Sequence, residues 1–198
     1  MSSYVLIVFA YLLGSVPVGV LLARMKGADP RKVGSGNIGA TNVMRAAGKV
    51  TGALTLVGDI LKGLLPVVLA FVVGEPAIVV AAVGLAAFLG HLFPLFLKFK
   101  GGKGVATALG VYLALDPFAV VITIIVFVLA LLKWRFVSLG SLMGVAAMPF
   151  LLYLRNAPDC YIYLALIIGA LIFIKHKDNI RRLLAGTENK MGRSKNSG

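Results

Sequence analysis

Unbroken apolar runs alternate with short polar breaks along most of this chain, and no run shows the polar stripe of a helix lying on a soluble core. Seven such segments can be drawn, at 4–23, 53–73, 77–97, 105–115, 117–132, 136–154 and 160–174. A hydrocarbon layer about 30 Å thick takes about twenty helical residues, so six of these fit a span and the fourth is short. Lipid offers no partner for backbone N–H and C=O groups, so each segment is expected to be helical. Asp116-Pro117 separates the fourth run from the fifth, because proline disfavours helix in the residue before it. The pattern therefore predicts an all-α, polytopic membrane protein with seven transmembrane helices, forming one domain over residues 1–198. The first run has no basic stretch before it and is not read as a cleaved signal peptide.

Composition agrees with the pattern. Sixty per cent of the 198 residues are hydrophobic, 14% are charged and the mean hydropathy is +0.97, too apolar for a soluble domain of this length. Charge then orients the segments. Eighteen of the twenty Lys and Arg residues fall in loops 24–50, 98–104 and 133–135 and in the tail after 174, while the intervening loops hold only Arg155 against Glu75, Asp116 and Asp159. By the positive-inside bias the basic side is cytoplasmic, which puts the N-terminus outside and the C-terminus in the cytoplasm. The same bias, with attraction to anionic lipid of about 1 kcal/mol per basic residue, accounts for the net charge of +13 without nucleic acid. The single cysteine, Cys160, excludes a disulfide framework and a cysteine metal site. About 191–198 reads as a disordered tail.

Three cytoplasmic segments, at 34–45, 98–107 and 176–190, carry candidate chemistry. In GSGNIGATN, Gly34, Gly36 and Gly39 match a dinucleotide-binding spacing, and Asp59 lies twenty residues further on. That fingerprint needs a strand before it and a βαβ unit around it, whereas here a membrane span precedes it and Asp59 falls in an apolar helix, so the dinucleotide reading fails. The glycines instead allow close backbone approach beside Ser35, Gly36, Asn37, Thr41 and Asn42, with Arg45 following. In KFKGGKGVATALG, Gly101, Gly102 and Gly104 surround Lys103 just before a helix start, an arrangement that favours an anion. It lacks the spacing and the Ser/Thr of a Walker A loop. In HKDNIRRLLAGTENK, His176 and Asn179 share one helix side if the last span continues, and Arg181, Arg182 and Lys190 add charge. Together the three segments predict one pocket for a polyanionic substrate at the membrane surface. Within the spans, Asp59 and Lys62 are expected to pair on one helix face, His91 to pack with a hydrogen bond, and Ser138 and Ser141 either to line the pocket or to cap their helix.

GSGNIGATNVMR, KFKGGKGVAT and HKDNIRRLLAGTENK together resemble, in order and spacing over essentially the whole chain, the three motifs of the bacterial acyl-phosphate:glycerol-3-phosphate acyltransferases, the PlsY family. The family's HR-x-N-I pattern stands here as HKDNI. The resemblance implies an enzyme of the bacterial inner membrane, working at its cytoplasmic face on glycerol 3-phosphate and a long-chain acyl phosphate. A soluble enzyme would supply the acyl phosphate. It implies roles in activity for Ser35 and Arg45, binding of the glycerol 3-phosphate phosphate by Gly101, Gly102, Lys103 and Gly104, roles for His176 and Asn179, and a structural role for Glu188.

The residues suggest how such a reaction would run. Neither histidine begins the H-x-x-x-x-D pair of the other large glycerophosphate acyltransferase group, since Phe96 and Arg181 stand five residues after His91 and His176. An acyl phosphate already has a good leaving group, so bringing two phosphates together is the harder task. Arg45 and Lys103 are expected to clamp the glycerol 3-phosphate phosphate, Ser35 and Asn179 to orient its hydroxyl, and His176 to bind the donor phosphate. The base is either His176 or a donor phosphate oxygen, and Ser35 as an acylated nucleophile is the rival route. No metal or cofactor is expected. The competing class is a transporter of organic phosphates, although a one-sided polar constellation without an internal repeat argues against it.

Overall fold

A computed structural model describes residues 2–191, so nearly all of the expected tail lies outside the described residues. These residues contain ten α-helices, two short 3-10 turns and no strand. The helices are α1 (Ser3–Gly14), α2 (Val18–Arg24), α3 (Ala40–Ala47), α4 (Lys49–Val72), α5 (Ala77–Leu92), α6 (Val105–Leu115), α7 (Pro117–Trp134), α8 (Val137–Leu154), α9 (Asp159–Lys175) and α10 (Lys177–Leu184). All seven apolar segments are helical. Five stretches are long and apolar enough to cross a membrane, and α9 with α10 makes a sixth if counted as one bent span. α6 has only 11 residues and falls below that length.

Three departures from the expected segments have local causes. The first run is two helices, because Pro17 has no N–H to continue the ladder and Val16 precedes it. The third ends at Leu92, three residues before the 3-10 turn Leu95–Leu97, where Pro94 stops the helix. The last span does not continue through the third motif: the chain bends by 61° at His176 before α10 begins. One helix was not expected. α3 follows the first glycine motif and puts Asn42 and Val43 on its buried side.

Glycines let the central helices touch backbone to backbone. A Cβ on Gly110 of α6 would lie 2.0 Å from the Ile60 carbonyl oxygen of α4, and one on Gly63 would lie 2.2 Å from the Thr107 oxygen. Gly14 of α1 and Gly90 of α5 meet each other's helices in the same way. Small residues are favoured at such crossings because lipid tails supply no hydrophobic drive to press helices together, and close packing must do so. The buried cluster around Phe88, Val111, Leu164 and Ile168 fills the space between these crossings.

Loop contacts sort into two sets at opposite ends of the bundle. At one end Ser3 donates to Glu75 at 2.8 Å, and Arg155 reaches Asp116 at 2.5 Å while Asp116 also accepts the Ala119 N–H at the start of α7. At the other end lie the three motif segments and the 135–137 turn, whose Arg135 carbonyl accepts the Met191 N–H at 2.7 Å.

The helix crossings predict a contrast between two glycines. Gly110→Ala places a methyl group against fixed backbone and should lower the thermal unfolding midpoint of the detergent-purified protein, at a cost of about 1–3 kcal/mol. Gly169→Ala meets nothing nearer than Val145 at 3.6 Å and should leave the midpoint unchanged or raise it. Equal effects in the two variants would contradict this packing.

Candidate active site

The end of α5 poses the first requirement. Its last carbonyls have no partner within the helix, and proline stops the chain from supplying one. The second motif supplies them: Gly102 N–H donates to the His91 oxygen and Gly101 N–H to the Leu92 oxygen, each at 3.2 Å. Tyr11 Oη donates to the Phe93 oxygen at 2.8 Å. Only glycine fits so close to a helix end, since a Cβ on Gly101 would lie 2.0 Å from the His91 oxygen. This corrects one expectation. The amides of Gly101 and Gly102 are spent on α5 and are not free for an anion. Open donors lie just beyond them, because Ala108 is the first residue of α6 whose N–H reaches a carbonyl, that of Gly104 at 2.8 Å. The N–H groups of Val105, Ala106 and Thr107 are left at the helix start beside Lys103. Gly104, at φ +84°, makes the turn into that helix.

Lys103 ties the second motif to the third. Its ammonium donates to Asn179 Oδ1. Asn179 Nδ2 donates to Glu188 Oε1 at 2.6 Å, Ser138 Oγ donates to the same oxygen at 2.9 Å, and Arg182 Nε donates to Oε2 at 2.6 Å. Burial alone would raise the Glu188 pKa, but the hydrogen bonds from Asn179, Arg182 and Ser138 outweigh it and hold the carboxyl below its ordinary value. Glu188 is therefore an anionic post bracing Asn179, Arg182 and α8. Lys103 is pushed down, first by burial and then by Arg182 and Arg45, with Glu188 acting in the other direction. An arriving phosphate would relieve that strain between cations.

His176 sits at the bend, buried. Its pKa is lowered to about 4, chiefly by burial and then by the charge of Lys103, so the imidazole is neutral at pH 7. Nδ1 lies 2.9 Å from the Ile172 carbonyl oxygen. A carbonyl can only accept, so that nitrogen carries the proton and Nε2 is left as an acceptor.

The first motif is built around one amide. Asn42 is buried; its Nδ2 donates to the carbonyls of Pro30, Val33 and Asn37 at 2.7, 3.0 and 2.8 Å, and its Oδ1 accepts the Ser35 N–H at 3.1 Å. Gly34 and Gly36 take φ of +60° and +68° to allow the wrap. Asn42 thus spends both amide hydrogens on the loop, one of them shared between two carbonyls, and has no donor left for the substrate expected there, while Ser35, Thr41 and Arg45 remain exposed and Asn37 is half-buried. No hydrogen bond among the described residues joins this segment to the other two. The charge of Arg45 adds, after burial and Arg182, to what holds the Lys103 pKa down.

Five further residues carried expectations from the sequence. Ser141 neither caps α8 nor contacts the network; its hydroxyl donates to the Val137 oxygen one turn back, at 2.9 Å. Ser138 reaches Glu188 instead, a contact with no sequence signal, since it joins positions fifty residues apart. Asp59 and Lys62 pair at 2.9 Å as expected. His91 is buried, but its Nδ1 has no hydrogen bond, contrary to the sequence expectation; Asp59 Oδ1 stands 3.6 Å away. A groove of about 520 Å³ opens between α2 and the start of α4, lined by Leu22, Lys26 and Lys49 among others, and none of the candidate site residues borders it. No cluster of His, Cys, Asp and Glu able to hold a metal ion occurs among the described residues.

Comparison with known proteins adds an independent line. A family model described as glycerol-3-phosphate acyltransferase matches residues 4–186. Glycerol-3-phosphate acyltransferases of Geotalea daltonii and Geobacter sulfurreducens are 55% and 48% identical to this chain, with alignments covering 95% and 96% of it and 97% and 98% of theirs. That of Aquifex aeolicus is 44% identical over 96% of this chain and the full length of its own. The crystal structure of PlsY, an integral membrane glycerol 3-phosphate acyltransferase, in its glycerol 3-phosphate form superposes with a TM-score of 0.94 at 44% identity, covering 97% of this chain and 96% of that one. The lysophosphatidic acid form gives 0.92 at 43% identity, with the same coverage. The motifs, the all-helical membrane fold and these full-length matches agree: this chain belongs to the glycerol-3-phosphate acyltransferase family, as PlsY does.

Proposed function

We propose that this protein transfers a fatty acyl group from an acyl phosphate to the 1-hydroxyl of glycerol 3-phosphate, releasing lysophosphatidic acid and inorganic phosphate as a step of phospholipid synthesis. The observation that carries the reading is the Lys103–Asn179 contact, which joins two motifs distant in the chain at the open N-terminus of α6, under the field of Arg45. The relatives are named glycerol-3-phosphate acyltransferases, and the similar solved structures are those of PlsY in its glycerol 3-phosphate and lysophosphatidic acid forms.

The chemistry follows from charge. The acceptor and donor each bring a phosphate, and their repulsion must be overcome before the hydroxyl can reach the acyl carbon. Arg45, Lys103 and the first amides of α6 neutralise and fix them, and such positioning contributes about 7–11 kcal/mol at best. The hydroxyl oxygen attacks the carbonyl carbon, the bond from carbon to the phosphate oxygen breaks, and the hydroxyl proton passes to an oxygen of the donor's phosphate. His176 is a poor base at neutral pH, because its lowered pKa makes the neutral ring a weak proton acceptor. With Nδ1–H committed to Ile172, Nε2 can only accept. Nε2 has no proton to offer the donor phosphate, so we place His176 against the 2-hydroxyl of glycerol 3-phosphate and let Ser35 donate to the oxygen of the 1-hydroxyl, whose own proton stays free for the donor's phosphate oxygen. Asn179 acts by holding Lys103.

In the membrane, we assign seven spans with α6 the short one, the N-terminus outside, and the three motifs at the cytoplasmic face of the bacterial inner membrane, where a soluble enzyme would deliver acyl phosphate. The charge distribution and the sorting of loops into two ends support this.

Two predictions result. Purified protein in detergent, given acyl phosphate and glycerol 3-phosphate, should form lysophosphatidic acid and phosphate without any gradient. Arg45→Ala and Lys103→Ala should each lower kcat/KM by about 10²–10³, and His176→Gln should lose less than about 10². A His176 variant more damaged than both cation variants would restore that side chain as the base, and the absence of product from the wild type would favour a transporter. For topology, Asn156→Cys in a Cys160→Ser background should react in intact cells with a membrane-impermeant maleimide, and Lys32→Cys only after permeabilisation. The opposite pattern would invert the orientation.

A further inference from the structure

The mechanism makes no use of Asp59, Lys62 and His91, which form a polar group buried between α4 and α5. Each is less than 5% exposed. Ionisable groups at membrane depth are costly unless they pair, and a purely apolar packing would avoid them. Lys62 pairs with Asp59 at 2.9 Å and donates to the Val16 carbonyl at 3.0 Å, filling the gap left in the ladder where proline breaks α1 from α2. The same Asp59 oxygen, Oδ1, also lies 3.6 Å from Nδ1 of the His91 ring. The ring's second nitrogen points at the glycine loop: a Cβ on Gly102 would lie 2.3 Å from Nε2 and 3.1 Å from Cε1. The backbone of the same histidine accepts the Gly102 N–H. One residue therefore holds Gly102 at two points, by a hydrogen bond to its amide and by a ring against its α-carbon.

We propose that His91 is a positioning residue for the acyl transfer: its imidazole, braced by the Asp59–Lys62 pair, is the seat on which Gly102 rests, and it thereby sets where Lys103 meets the phosphate of glycerol 3-phosphate. The chain of contacts runs from the α1–α2 break through Lys62, Asp59 and His91 to Gly102, and Lys103 is the next residue. His91 itself touches no reacting atom. This role rests on the assignment of Lys103 to the phosphate site.

The test uses the full-length protein in detergent, with kcat and KM for glycerol 3-phosphate measured at saturating acyl phosphate. His91→Ala should raise KM on the order of tenfold while kcat changes less than threefold, as expected when a binding group is misplaced by about an ångström or less. Gly102→Ala should lose turnover on the order of a hundredfold, because its methyl group meets the ring. The double variant His91→Ala/Gly102→Ala should recover on the order of tenfold over Gly102→Ala alone, since the obstacle is gone. Rescue of that kind is not expected from general loss of packing. If His91→Ala does not purify as a monodisperse protein, His91→Asn takes its place in both measurements with the same expected directions. An unchanged KM, or a double variant no better than Gly102→Ala, overturns the proposal. Lys103→Ala is the accompanying control. Turnover like that of the wild type would overturn the phosphate-site assignment itself, whereas a dead Lys103→Ala beside an unaffected His91→Ala would defeat only the positioning role.

Discussion

The carbonyl oxygens at the end of α5 must find hydrogen-bond donors, and in this protein the donors are the amides of Gly101 and Gly102. Much of the site follows from that constraint. The glycine loop is drawn flat against the helix end, Lys103 is turned away from α5 toward Asn179, and α6 begins with its unpaired N–H groups next to the lysine. A longer side chain at either glycine would break the seal before it could affect any substrate. The glycine-rich motif is thus first a helix cap, and the anion site proposed for it rests on what the cap places.

A second layer of organisation is the balance of charge. Arg182 and Arg45 press on Lys103 as like charges, and Glu188 offsets them by bonding Arg182 directly and reaching Lys103 by way of Asn179. Glu188 is itself kept ionised by the donors around it. The cluster is held together by the Glu188 carboxylate and keeps a net positive charge, as the proposed binding of substrate phosphates requires. Such a site suits a reaction whose leaving group is already activated, since it supplies neutralisation and placement more than proton transfer.

The apolar helices were legible in the sequence because a membrane leaves the backbone little choice, and unbroken apolar runs report that directly. Their breaks were less so: Pro17 and the bend at His176 lie inside or at the edge of runs that composition alone reads as continuous. Among site residues, Lys103, His176 and Asn179 stood out because cationic and amide groups beside a span need a reason. The role of Asn42 did not, since an asparagine that organises a loop and one that binds a ligand look alike until its four hydrogen bonds are seen. Ser138 was picked over neither of its readings, because its partner lies on the far side of two helices in sequence. The expectation that glycine amides face the anion failed for a related reason: nothing local announces that α5 would claim them first.

The central claim is that Lys103 and Asn179 act as one unit in acceptor binding. The most direct measurement is a double-mutant cycle on kcat/KM for glycerol 3-phosphate, using Lys103→Met, Asn179→Ala and the pair. If the two side chains work together, the pair should be little worse than the more damaging single variant, with a coupling of about 1.4 kcal/mol or more, a factor of ten. Losses that simply multiply would show that the second and third motifs serve the reaction separately, and would contradict the account.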